Sequence, residues 1–178
     1  MAIVEVHWEP YYSYKPYGDF WEKNNPQVDE PTKYLLDLLQ RHEVKAIFYV
    51  VGWLRYCSPM LFTKIVNEGH VIGDHTWYHD INDGQPRFKP FRAPRWKGQK
   101  RLYSGGFWFR FMPFWWIKKE VEKTGIFFIH PYDVMEDHPK CGNPFRNWMR
   151  QYGLKTSRDK LERLMREVSW DEPRGTDK

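Results

Sequence analysis

Two histidines four residues apart, His75 and His79, end the stretch Gly69-His70-Val71-Ile72-Gly73-Asp74-His75-Thr76-Trp77-Tyr78-His79, directly after a short apolar run. That spacing brings two imidazoles within reach of one metal ion, from one face of a helical turn or across a tight loop leaving a strand. The pair is half a site, and among seven histidines such a pair arises easily by chance. Neighbouring residues must decide its meaning. Glu5, His7 and His130 offer a carboxylate and two more imidazoles, groups suited to metal binding and proton transfer, and Arg92 a permanent cation suited to holding a carboxylate.

The elements that must position these groups follow from periodicity and punctuation. Residues 1–6 alternate and are rich in β-branched side chains, a first strand running into Glu5-Val6-His7-Trp8-Glu9. Residues 10–25, with several tyrosines, two prolines and Gly18, show no period and read as an aromatic loop. Asp29-Glu30-Pro31 opens a helix carrying Tyr34, Leu35, Leu38 and Leu39 to about His42. Residues 44–51 read as a buried strand, Ser58-Pro59 caps a helix that Gly69 stops, and residues 70–74 form another strand. This alternation implies a parallel α/β sheet, with the loops after Val6, Val51 and Asp74 at one edge.

Farther along, residues 88–91 suggest a brief strand before Arg92-Ala93-Pro94, and residues 97–106 a loop. A helix over 113–124 ends at Gly125, and a buried strand over 126–129 runs into His130-Pro131. Past Cys141-Gly142-Asn143-Pro144 the chain reads as irregular until Thr156-Ser157-Arg158-Asp159, which resembles a capping box opening a helix through Val168. Asp171 onward reads as a frayed tail.

Composition bounds the function. A chain of 178 residues with a 41% hydrophobic share suits one domain with its own core. It has no apolar run of membrane-spanning length and no signal-peptide pattern at its start, which makes the cytoplasm the default address. Cys57 and Cys141 are too few for a disulfide framework or a cysteine-based zinc site. The net charge of +5 and the mixture of Lys97, Lys100, Arg101 and Arg110 with Trp96, Tyr103, Phe107, Trp108 and Phe109 fit a single-strand binder, but no nucleic-acid motif accompanies them. The 19% aromatic share is the more unusual property, and flat rings suit sugars as well as bases.

In this order the motifs resemble the polysaccharide deacetylases, the NodB-homology group of carbohydrate esterases. Residues 69–79 resemble that family's second motif, and Phe91-Arg92-Ala93-Pro94-Arg95 its third. Gly105-Gly106-Phe107-Trp108-Phe109-Arg110, Met112-Pro113-Phe114 and Ile129-His130-Pro131-Tyr132-Asp133-Val134 are similar to the branch found with bacterial exopolysaccharide export. The resemblance implies a single domain over residues 1–178, a trimmed, incomplete (β/α) barrel, and metal-dependent removal of N-acetyl groups from a glycan. Its implied metal ligands are His7, His75 and His79, around zinc, with cobalt or nickel as alternatives. Glu5 would be the base, Arg92 would hold and ionise it, and His130 would protonate the leaving amine. Trp8, Trp77, Trp96 and Tyr132 would border the sugar, although each also suits a core.

Two departures from the family pattern stand out. The first motif ordinarily carries a catalytic aspartate and a metal-binding acid, where this chain has Glu5 and His7; a decayed motif would leave Glu9 or nothing as third ligand. Elements usual between His79 and Arg92, and again between Trp96 and Gly105, are missing. A shortened sheet exposes edges, which favours a homodimer or a partner chain. The competing reading is a carbohydrate-binding or assembly protein that has kept the scaffold and lost catalysis.

Overall fold

The structure is a computed structural model that describes residues 1–12, 25–79, 104–140 and 143–173. Among the described residues four strands, β1 (Ile3–Trp8), β2 (Ala46–Val50), β3 (Val71–Asp74) and β4 (Ile126–Ile129), form one sheet in the order β3-β2-β1-β4. Every pairing is parallel, as the alternation of strands and helices predicts. The helices are α1 (Asp29–Arg41), α2 (Leu54–Cys57), α3 (Pro59–Asn67), α4 (Gly106–Phe111), α5 (Phe114–Thr124), α6 (Pro144–Gln151) and α7 (Leu154–Glu167), with a 3-10 turn over Pro131–Val134. No described helix is long and apolar enough to cross a membrane.

The two faces of the sheet do different work. Side chains alternate along a strand, so Val4, Val6 and Trp8 point one way, together with Ala46, Phe48 and Val50 and with Phe127 and Ile129. These join Leu35, Leu36 and Leu39 of α1, Ile65 of α3, Ile117 and Val121 of α5, and Leu161 and Leu164 of α7 in one core cluster. Glu5 and His7 alternate onto the other face, where Glu5 pairs in register with Ile47 and Phe128, and His7 with Tyr49. One face therefore holds the fold and the other carries the ionisable groups.

Trp8 belongs to the first face. Its indole is fully buried and donates to Thr32 Oγ1 at 3.0 Å, so it packs the core instead of bordering a sugar. Other expectations are also adjusted. Strand β1 ends at Trp8, inside the stretch where the sequence ends it, but the Ser58 hydroxyl donates to Asp29 Oδ1 at 2.6 Å instead of capping α3. Helix α7 starts at Leu154 after Gly153 in the left-handed region, so Ser157 lies inside it and donates to the Leu154 carbonyl. Residues 144–151 are a helix, not irregular chain. The strand read over 88–91 lies outside the described residues.

Candidate active site

The parallel arrangement delivers the C-terminal ends of β1, β3 and β4 to one edge, where open α/β sheets bind ligands. Glu9 follows β1, His75 follows β3 and His130 follows β4. The loop after β3 is shaped locally. Asp74 Oδ1 accepts the Thr76 N–H at 3.1 Å, His75 N–H extends the ladder to the Val50 carbonyl, and Thr76 and His79 adopt φ of 63° and 60°. Gly52 N–H and Trp53 N–H donate to the carbonyls of Thr76 and Trp77, clamping this loop onto the one after β2. A β-carbon on Gly52 would fall 2.6 Å from the Trp77 ring, so only glycine allows the indole to lie there.

The result gathers three donor groups. Glu9 Oε2 lies 3.0 Å from His75 Nε2 and 2.9 Å from His79 Nε2, and the three side chains offer ligand atoms within 4.8 Å of one another. Two imidazoles and a carboxylate are a donor set that suits a divalent transition metal. Burial alone would raise the Glu9 pKa, but hydrogen bonds from His75 and His79 outweigh it and hold the carboxylate well below its usual range. Tyr132 Oη donates to the other Glu9 oxygen at 3.2 Å. An anionic, oriented carboxylate is what a ligand position requires.

A second group flanks the first. His130 Nε2 lies 3.7 Å from Glu9 Oε1, while its Nδ1 bonds Asp133 Oδ2 at 2.9 Å. The same Asp133 oxygen accepts the backbone N–H of His130 and of Gly106, and Arg110 Nη1 donates to Oδ1 at 2.9 Å. Burial would raise the Asp133 pKa, yet the His130 bond and the Arg110 charge bring it down to about 2. Burial lowers the His130 pKa, but the bond to ionised Asp133 more than compensates and raises it. His130 is thus held in one orientation by Asp133, its Nε2 facing the Glu9 cluster, with the Tyr132 ring stacked on it at 4.5 Å.

Of the expected site residues, His75, His79, His130 and Tyr132 come together, and Trp77 borders the loop that carries the two histidines. His7 lies in ring contact with His75 and His130, at 4.9 Å and 5.3 Å, and burial holds its pKa well below the usual value. The group whose ligand atoms converge is Glu9, His75 and His79, with Glu9 the alternative that the sequence reading offers to His7. Glu5 is buried on the same face, farther from the strand end. Arg92 and Trp96 lie outside the described residues. Sequence reasoning passes over Arg110 and Gly105 as site residues; Gly105 has φ of 60°, and a β-carbon there would fall 2.3 Å from Phe128 and 2.9 Å from His130.

Comparison with known proteins gives this geometry its context. The family model for Polysaccharide deacetylase matches residues 19–97, which include His75 and His79, and the one for Domain of unknown function (DUF3473) matches residues 84–176, more than half of the chain. The chain belongs to the family described as DUF3473, and over residues 19–97 it carries a polysaccharide deacetylase domain match. In this family member the DUF3473 match carries His130, Asp133 and Arg110. A peptidoglycan-N-acetylglucosamine deacetylase of Bacillus cereus is 46% identical over 50 residues, 28% of this chain and 18% of that protein. The peptidoglycan-N-acetylmuramic acid deacetylase PdaA of Bacillus subtilis is 38% identical over 48 residues, 27% and 18% of the two chains. An uncharacterized 30.6 kDa protein of Geobacillus stearothermophilus is 42% identical over 48 residues, with the same coverage. The match to each of these three curated relatives thus spans 18% of the relative's length. No solved structure matches the chain.

Proposed function

We propose that this protein is a metal-dependent deacetylase that hydrolyses the N-acetyl group of a sugar in an acetylated glycan. The observation that carries the reading is the convergence of Glu9, His75 and His79 beside an oriented His130. Amide hydrolysis requires a nucleophilic water, a stabilised oxyanion and a protonated leaving amine. A divalent ion held by Glu9, His75 and His79, zinc before cobalt or nickel, would acidify the water and polarise the acetyl carbonyl. His130 Nε2 would donate the proton to the leaving nitrogen, and Asp133 would fix the ring so that this nitrogen faces the substrate. Glu5 keeps the role of base and Arg92 that of its partner, while Trp77, Trp96 and Tyr132 border the sugar. In the same reading the sheet is the centre of a trimmed, incomplete (β/α) barrel and the chain is one domain.

Acetate release from N-acetylated oligosaccharides tests the proposal. Chelation followed by dialysis should abolish it, zinc should restore it, and His75→Ala should reduce it by about 1,000-fold or more. Acetate release that survives both chelation and His75→Ala would overturn the mechanism.

A further inference from the structure

Helix α6 buries none of its own side chains, although burial of an apolar face is what ordinarily holds a short helix in place. Polar contacts hold it instead. Asn143 caps its start by accepting the Arg146 N–H at 3.0 Å. At its other end Arg110 donates to the carbonyls of Met149, Arg150 and Tyr152, and Gln151 Nε2 donates to the His138 carbonyl. Arg110 is the same residue that binds Asp133, so α6 is tied to the His130 network while Phe145, Arg146 and Trp148 stay exposed.

Those side chains form two stripes. Arg146 and Arg150, four apart on one face, line a pocket of about 450 Å³ whose other walls include Glu9, His79 and Tyr132. The helix carries no acidic residue, and Arg146 makes no ion pair among the described residues. Glu9, the carboxylate of that pocket, is already engaged by two histidines. The beside-lying stripe is aromatic: Phe145 stacks on Trp148 at 5.8 Å, Trp148 meets Tyr152 at 5.4 Å, and Phe107 links Trp148 to the pocket wall. Phe145 and Trp148 are 66% and 49% exposed, so their faces are available to a partner.

We propose that this pocket is a subsite for an anionic sugar in a polymeric glycan, with Arg146 and Arg150 binding a carboxylate one ring away from the acetamido group. The aromatic row then supports the next rings of the chain by stacking against their apolar faces. Guanidinium forks suit carboxylates, and flat rings suit sugars, so the two stripes together select an acidic polysaccharide over a neutral one. The identity of the neighbouring acetamido sugar as substrate rests on the deacetylase reading; the binding preference does not.

Binding by the full chain tests this, with zinc and with chelator, using calorimetry on an alternating N-acetylglucosamine–glucuronic acid hexamer, an N-acetylglucosamine–N-acetylmuramic acid hexamer and neutral chitohexaose. The acidic hexamers should bind about tenfold more tightly than chitohexaose, and the advantage should shrink at about 0.5 M salt. A preference for one acidic hexamer over the other tells a ring carboxylate from a lactyl one. In Arg146→Gln/Arg150→Gln the ratio should fall towards one, while Arg146→Lys/Arg150→Lys should keep much of it. If the double variant does not fold, the single exposed-site variant Arg146→Gln carries the same comparison. Equal affinities for acidic and neutral hexamers, or an unchanged ratio in the glutamine variants, would overturn the subsite. So would tighter arginine-dependent binding of an oligothymidylate of equal charge. Acetate release measured in parallel separates the two readings: preference without release upholds the subsite against the deacetylase, and release without preference does the reverse.

Discussion

Glu9 lies one residue beyond β1, where its N–H donates back to the His7 carbonyl at 3.0 Å, and its side chain joins His7 on the side of the sheet that meets His75 and His130. Glu5, His7 and Glu9 are thereby set on one face at successive distances from the sheet edge. The resemblance to a family motif draws attention to Glu5 and His7, because those positions match the motif best. Strand period alone points to Glu9 as the residue that reaches the edge. His79, by contrast, comes from a loop 70 residues later, and no local pattern states that the two would meet. Glu9→Ala should lower zinc affinity by about 100-fold or more, whereas His7→Ala, which removes ring contacts with His75 and His130 but leaves Glu9, His75 and His79 in place, should stay within about tenfold. Competition against a chromophoric chelator measures both. The opposite ranking would return the third ligand position to His7.

Elements with a strong apolar period or clear punctuation were legible. Strands β2, β3 and β4 are short apolar runs between turn residues, and α5 stops where Gly125 enters the left-handed region at φ of 72°. Helix α6 escaped because it has no buried stripe to give a period, although Asn143-Pro144 is a start signal that the structure uses. The segment before α4 reads as a loop, but the need for glycine at Gly105 could not be read, since it arises from Phe128 and His130, far away in sequence. Gly105→Ala should cost roughly 3 kcal/mol in urea unfolding and reduce acetate release, because the added carbon strains the backbone and displaces His130. Unchanged stability would remove that packing argument.

The entry to β3 carries a different constraint. His70 Nδ1 accepts the Ala46 N–H at 3.2 Å, which requires a neutral ring, and burial lowers its pKa to about 4. The folded state therefore binds this proton less readily than the unfolded chain, whose histidine titrates near 6.5. Its stabilising contribution is complete above about pH 6.5 and is lost as pH falls through about 4, by up to roughly 3 kcal/mol. Urea unfolding over that window should show His70→Gln with a flatter pH slope than the unmutated chain. Equal slopes would assign the acid sensitivity elsewhere.

At the scale of the whole molecule, the two family matches do not divide the structure. Strand β1 lies between β2 and β4, so the sheet is built from both, and Ala2 exchanges hydrogen bonds with Ser169 and Asp171 near the far end of the described chain. Core residues from Ala2 to Val168 form one cluster. The candidate site has the same character, with Glu9, His75 and His79 before residue 80 and His130, Asp133 and Arg110 after residue 104. Arg110 is the strongest link, since its buried guanidinium neutralises Asp133 and fastens α6 at once. Removing it leaves a buried carboxylate without its cation, so Arg110→Met should lower stability by about 3–5 kcal/mol. If the chain is one cooperative unit, tryptophan fluorescence and far-UV circular dichroism should report coincident urea transitions in both the unmutated chain and Arg110→Met. Two separated transitions, with only the later-folding half sensitive to Arg110, would instead mean that the halves are stable on their own and that the site forms where they dock.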